Sequence, residues 1–331
     1  MQQNSTLKKL SGILHLSVST VSRALKNHPD ISEETKRKVK ELAAALEYEP
    51  NSYAIHLRNN TSNVLGILVP SVDNFFYDSF IAAVEQEARI KQYSVLIMQS
   101  GESMEAEAAN LKVMKNNRIA GVFVSLTTET DSIAPFLKLQ DQNIPVLFFD
   151  RVPDYDSCNK ICLADRAAAG IAAEALIAKQ KMNVLALFGH PNLTISRKRH
   201  SSFSDTFASR SPHTRLVNEF PLDMHDAKKM TARALDGDDK PDAIFCMGDL
   251  ILIGAMQAIH ERGLRVPEDI SVVSISNGFI PTLYNPRITY VETSGYKLGK
   301  LAFQRMMSCL SGNTFLQELT VESMLVEGGS L

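Results

Sequence analysis

The chain has 331 residues, 44% of them hydrophobic, with 35 Lys and Arg against 37 Asp and Glu and a formal charge of −2. That length suits two or three domains, and that hydrophobic fraction suits a soluble globular protein with a sizeable core. No apolar run is long enough for a membrane span, the polar start MQQNSTLKK lacks the apolar stretch of an export signal, and Cys158, Cys162, Cys246 and Cys309 show no CxxC or Cys/His metal spacing, so we expect a cytoplasmic protein with reduced thiols and neither membrane, metal nor cofactor.

Thr6 can cap a first helix, in which Leu7, Leu10 and Leu14 share one face. Ser17 can cap the next, SVSTVSRAL (17–25), by accepting from the amide of Thr20. Val21 and Leu25, four apart, form its inward stripe and leave Ser19, Thr20, Ser22 and Arg23 outward, a set with donors for phosphates and base edges. Taken alone, the segment could equally be an ordinary capped surface helix. Ser32, followed by Glu33 and Glu34, opens a third helix in which Val39, Leu42, Ala43 and Leu46 recur at i, i+3, i+4 and i+7. Three short helices with a shared apolar face make a helix-turn-helix headpiece, placed at 1–48. Residues 1–62 carry Lys8, Lys9, Arg23, Lys26, Lys36, Arg37, Lys38, Lys40 and Arg58 against Asp30, Glu33, Glu34, Glu41, Glu47 and Glu49, so the positive charge is local to this segment.

Tyr48 and Pro50 end the third helix, because the residue before a proline is pushed out of helical geometry. Asn51 to Leu57 is a possible short helix within a hinge and linker at 49–62, too short to be stable without a partner surface. From Val64 onward, apolar runs of strand length (VLGILV, SVLIM, GVFVSL, PVLFF, NVLALF, AIFCM, ISVVSI, ITYV) alternate with helical stretches. That alternation predicts an α/β fold with parallel sheets, helices on both faces, and enough strands for two lobes.

The segments TLKKL, SVSTVSRAL, NHPDISEETKRKV, LEYEPN, HLR and GILVP, in this order and spacing over residues 5–70, resemble the headpiece and hinge of the LacI/GalR family of bacterial transcription regulators. The resemblance implies a two-lobed core over 63–331 like a periplasmic binding protein. The chain would cross between lobes near Leu163 to Asp165, Thr293 to Gly295 and Val321 to Met324, giving an N-lobe of about 63–163 plus 294–322 and a C-lobe of about 165–292. It also implies a repressor that binds a palindromic double-stranded DNA operator as a homodimer and answers to a small sugar or sugar derivative in the cleft between lobes. No leucine heptad follows Leu325, which favours a dimer over a coiled-coil tetramer. On the family's register, Val18 and Ser19 read bases with Arg23 further along, Thr20, Ser22 and Asn51 meet phosphates, and Thr6, Ser17 and Ala54 complete the DNA surface. Leu57 falls on the hinge leucine that wedges open a base step in the minor groove, its alternative being a linker residue in a core contact.

For the effector, SVDNFFYDSF resembles the family's first-lobe loop and places Phe76 and Tyr77 at the cleft, where an aromatic face can stack on a ring, or else in the core. Asp150 ends strand PVLFFD, where such strands deliver carboxylates. Arg199, four residues before Phe203, matches the family's ligand arginine, its alternative being a surface ion pair, and Asp249 holds the aspartate of the usual Asn-Asp pair. Several positions depart from the pattern: Leu14 for alanine, His15 for glycine, Gly12 inside the first helix, Phe75 for proline, Gly248 for asparagine, and Ser276-Asn277 for Asp-Asp. Losing a carboxylate at Ser276 while keeping Arg199 and Arg151 nearby leads us to expect an anionic effector, such as a sugar phosphate or uronate. Three rival readings are a solute-binding protein, which the missing export signal disfavours, a sugar-active enzyme, for which Walker A, GxGxxG, GxSxG and HExxH motifs are all lacking, and a regulator whose cleft binds a partner protein.

Overall fold

Helices α1 (Leu7–Leu14), α2 (Val18–Leu25) and α3 (Glu33–Ala45) belong to the smaller of two compact units, Met1–Ser62 and Asn63–Leu331. The structure, a computed structural model, describes residues 7–48 and 62–331, so Thr6, Asn51, Ala54, Leu57 and the expected hinge helix lie outside the described residues. The Ser17 hydroxyl accepts from the Thr20 amide at 3.0 Å and that of Ser32 from the Thr35 amide at 3.3 Å, which satisfies one orphan donor at each helix start. Leu10, Val21, Ala24, Val39 and Ala43 form the core of this unit, with Leu7, Leu14, Leu25, Leu42 and Leu46 packed around it. The inward stripe of α2 therefore differs from the expected Val21 and Leu25: Ala24 is fully buried, Leu25 only half. Because α2 packs on both α1 and α3, its covered face is wide, and Thr20 and Ser22 are half-buried rather than outward.

His15 ends α1 in the left-handed region, at φ 52°, and the Leu16 amide beyond it bonds back to the Ser11 carbonyl at 3.0 Å. Glycine takes that conformation without strain and histidine does not. Gly12, inside α1, is exposed, and a Cβ there would meet nothing within 4 Å. Gly12→Ala and His15→Gly should therefore each stabilise the small unit by roughly 1 kcal/mol, read as higher denaturation midpoints in urea.

The larger unit begins with β1 (Val64–Val69), α4 (Phe75–Ile90), β2 (Ser94–Gln99), α5 (Met104–Asn116), β3 (Gly121–Val124), α6 (Ala134–Gln140), β4 (Val146–Phe149) and β5 (Asn159–Leu163). It continues with α7 (Asp165–Ala178), β6 (Asn183–Leu187), α8 (Thr194–Arg210), β7 (Arg215–Glu219), α9 (Met224–Asp236), β8 (Ala243–Cys246), α10 (Asp249–Glu261), β9 (Ser271–Ser276) and, past a 3-10 turn (Ile280–Leu283), β10 (Thr289–Glu292). Last come α11 (Gly295–Leu310), β11 (Glu318–Val321) and β12 (Leu325–Val326). Two six-stranded sheets result, in the orders β11-β5-β4-β3-β1-β2 and β12-β10-β9-β8-β6-β7. The first is parallel throughout. The second is not, as expected, wholly parallel, since its short edge strand β12 runs antiparallel to β10.

In the first sheet α4 and α11 cover one face, where the Phe80 ring stacks on Phe149 with centroids 3.7 Å apart. Leu111 and Met114 of α5 and Phe136 and Leu139 of α6 cover the other. The second sheet has one continuous core around Phe188, Phe203 and Phe245. The chain passes between the sheets after β5, after β10 and after β11, so that α11 and β11 return to the first lobe. Gly295 makes the second passage possible: a Cβ there would stand 2.4 Å from the Phe76 carbonyl of α4. Cys158, Cys162 and Cys246 are buried, and all four thiols are free. Burial pushes the Cys158 thiol up to about 11 and that of Cys162 up to about 12, which keeps both protonated. Among the described residues no helix is long and apolar enough to cross a membrane.

Candidate functional site

On the surface of α2, Val18, Ser19 and Arg23 are exposed, the last 4.0 Å from Asp30. The Ser17 hydroxyl accepts from the Thr20 amide and lies 2.7 Å from the Ser19 hydroxyl and 2.8 Å from that of Thr20. Ser17 thus fixes the helix start, while its exposed neighbours Val18 and Ser19 stand open to solvent.

In the larger unit a cavity of about 450 Å³ opens between the lobes, at the carboxyl ends of strands from both sheets. Phe76, Tyr77, Asp150, Arg199, Asp249 and Ser276 all line it. They do not all face it in the same way. Tyr77 offers no stacking face: it is 2% exposed, packed in the first core, and its hydroxyl bonds Ser125 at 2.8 Å and donates to Asp150 at 3.0 Å. Burial raises the Tyr77 phenol well above its ordinary range, so it stays a donor that orients the carboxylate. Phe76, one residue earlier on the turning helix, is half-buried at the cavity wall and remains the aromatic of the pair that a ligand could meet.

Asp150 leaves β4 with φ 56°, a left-handed conformation that turns the chain sharply at the cleft floor. Its burial raises the carboxyl above the ordinary range, opposed by the nearby Arg151 and Arg199 charges and by the Tyr77 hydroxyl. Arg199 is 5% exposed, and neither alternative read from sequence describes it fully, because it sits in a buried ion pair rather than a surface one. Its Nε donates to Asp165 at 2.9 Å and its Nη1 to the Met247 carbonyl at 2.8 Å. Burial pushes the Asp165 carboxyl up to about 6 despite that guanidinium. Arg151 is likewise engaged, by Glu102 at 2.8 Å.

Those two pairings bear on the expectation of an anionic effector. It assumed uncommitted guanidinium groups, whereas each arginine already faces a carboxylate, and Asp150 and Asp249 add further acceptors. The cleft is a set of acceptors and aligned donors with no surplus positive charge, which suits hydroxyl groups better than a phosphate.

Asp249 begins α10 and holds the turn after β9: it accepts from the Ser276 hydroxyl and, at 3.2 Å, from the Asn277 amide. Asn277 then reaches across to the first lobe. Its side-chain carbonyl accepts from the Gly295 amide at 3.0 Å and the Ser79 hydroxyl at 3.3 Å, and its amide nitrogen donates to the Phe75 carbonyl at 3.2 Å. Sequence reasoning marked Asn277 only as a departure and passed over Asp165 and Glu102. The usable signal at Asp165 is its position directly after the first crossing, where a helix start meets the cleft.

The loop at 127–130 borders this cavity and hangs on Glu107 of α5, which is 3% exposed and accepts from the Thr130 hydroxyl at 3.0 Å and the Thr127 amide at 3.4 Å. Burial raises its carboxyl to about 7. A carboxyl raised on folding favours the fold most at low pH, and that contribution disappears as pH climbs from the unfolded value of 4.5 to about 7. Glu107→Gln should therefore gain on the natural chain by up to ~1.4 kcal/mol per pH unit across that window and by nothing further above it, checked by urea denaturation at several pH values. Among the described residues no group of His, Cys, Asp or Glu could hold a metal ion.

The profile of bacterial regulatory proteins of the lacI family matches residues 15–51, and that of a periplasmic binding protein-like domain matches residues 173–331. The chain is 27% identical to a ribose operon repressor of Halalkalibacterium halodurans over 299 residues, covering 90% of this chain and 88% of the relative. It is 26% identical to the NTD biosynthesis operon regulator NtdR of Bacillus subtilis, covering 96% of each. A crystal structure of the Lac repressor dimer bound to operator and the anti-inducer ONPF superposes with a TM-score of 0.89 at 23% identity, covering 99% of both chains, a likeness of fold. A periplasmic binding protein/LacI transcriptional regulator from Alkaliphilus metalliredigens complexed with D-xylulofuranose superposes at 0.69 with 20% identity, covering 81% of this chain and 99% of that one.

Proposed function

We propose that the chain is a DNA-binding transcriptional repressor of the LacI family rather than an enzyme, that it binds a roughly palindromic operator as a cytoplasmic homodimer, and that it answers to a small, neutral, sugar-like effector in the interlobe cleft. The observation that carries this reading is the convergence of Phe76, Asp150, Arg199 and Asp249, from both lobes, on one cavity of a size that suits a small ligand. Acceptors with no spare cation favour a polyol. The ribose operon repressor among the relatives and the D-xylulofuranose complex among the structural neighbours support the same chemistry.

Val18, Ser19 and Arg23 read bases in this scheme, while Thr6, Ser17, Thr20, Ser22, Asn51 and Ala54 position the head and hinge on the duplex. The effector acts by its different affinity for two lobe arrangements, which alters how two copies present their hinges to DNA. Selection of bound duplexes from a random library at two salt concentrations tests the reading. A recovered palindrome is expected, and binding that is only salt-sensitive and sequence-blind would overturn it. Leu57→Ala should weaken binding to the recovered site by about tenfold or more while leaving binding to random duplex unchanged, as loss of a minor-groove wedge requires. An unchanged specificity ratio in that variant would reassign Leu57 to the linker.

A further inference from the structure

A second cavity, of about 950 Å³, adjoins the first and shares Thr128, Arg151, His190 and Leu193 with it as a common wall. Its chemistry differs. The first cavity mixes apolar side chains of the second lobe, at Leu193, Ile195, Leu222 and Ile251, with Arg199, Asp249 and Ser276 of the same lobe, whereas the second is bordered by the hydroxyl- and carboxylate-rich segment 127–132 and by Asp154. Tyr155 stands at this second chamber with 46% of its surface exposed, an aromatic ring left uncovered beside carboxylates and hydroxyls. At one end the lobes touch: Arg197 of α8 pairs with Asp154 of the first lobe, and the Thr194 hydroxyl donates to Asp154 at 3.3 Å. A molecule in this chamber would be held between both lobes, as one in the first cavity would.

We propose that the second chamber is a binding subsite for a second sugar ring, so that the effector is a disaccharide or glycoside spanning both cavities. An exposed aromatic face takes the apolar C–H side of a sugar ring, and neighbouring carboxylates and hydroxyls take its hydroxyl groups, which is the combination at Tyr155 and Asp154. Arg151 and His190, at the shared wall, face the linkage between the two rings. The proposal rests on the sugar-effector reading above and extends it from a class of ligand to its length.

Calorimetry on the full-length protein tests it, using glucose, galactose, fructose and ribose against maltose, cellobiose, lactose, melibiose, sucrose and trehalose. At least one disaccharide is expected to bind about tenfold or more tightly than either of its component monosaccharides, because the second ring adds contacts to a preformed chamber. Tyr155→Ala, at a half-exposed position, is expected to remove that surplus and leave monosaccharide affinity unchanged. If a monosaccharide binds and no disaccharide binds more tightly, or if Tyr155→Ala lowers both classes alike, the subsite is overturned while the sugar effector stands. If none of the sugars binds, the sugar effector itself is overturned and the subsite with it.

Discussion

Arg199→Ala is expected to lower the unfolding free energy of the larger unit by roughly 3–5 kcal/mol, as well as to remove effector binding. The guanidinium is buried against Asp165 and the Met247 carbonyl, so truncation strands a carboxylate that is itself 5% exposed at the start of α7. Removing one member of a buried pair costs more than the pair contributes, because the remaining charge keeps its desolvation penalty. Arg199→Met combined with Asp165→Asn removes both charges and should recover most of the stability without recovering binding. Urea denaturation and calorimetry on the two variants separate the roles. Full stability in Arg199→Ala would show that the pair contributes nothing to the fold, and sugar binding by the double variant would make Arg199 a purely structural residue.

Where the core strands lie was written in apolar runs: VLGILV and NVLALF begin at the first residues of β1 and β6, since central strands of a two-faced parallel sheet must be apolar throughout. Four strands carry no such run. β5 is fully buried yet reads NKICL, and its polar pair survives because Asn159 accepts from Arg305 at 3.0 Å and Lys160 faces Asp156 and Glu318 at 3.6 and 3.8 Å. β7, β11 and β12 are at or next to sheet edges, half-exposed, and so lack the apolar pattern. The cleft was legible as a list of residues and illegible as a set of pairings. Arg199 and Asp165 are 34 positions apart, Arg151 and Glu102 49 apart, and Asn277 and Phe75 202 apart, so only the folded chain reveals that the arginines are already neutralised. Tyr77 takes the second of the two places left open for it: its neighbour Phe76 meets the cavity, and one helical step turns the Tyr77 ring into the core.

Asn277→Asp is expected to cost about 1–3 kcal/mol and to blunt the response of operator binding to effector. The family's aspartate at this position would be an acceptor only, but here the side chain has to serve both roles. Its carbonyl can still accept from Gly295 and Ser79 after the change, whereas the donor to the Phe75 carbonyl is replaced by a carboxylate oxygen that repels it. That bond joins the turn held by Asp249, at the cleft, to the start of α4 in the other lobe. Loosening it should leave operator affinity without effector near its natural level and reduce the effector-induced change in that affinity several-fold. Operator titrations with and without the sugar returned by calorimetry measure this directly. Asn277→Ala breaks the Phe75 contact, and those to Gly295 and Ser79 with it, without adding charge, so a response lost in both variants marks the lost bridge between lobes, and a response lost only in the aspartate variant marks repulsion at the Phe75 carbonyl.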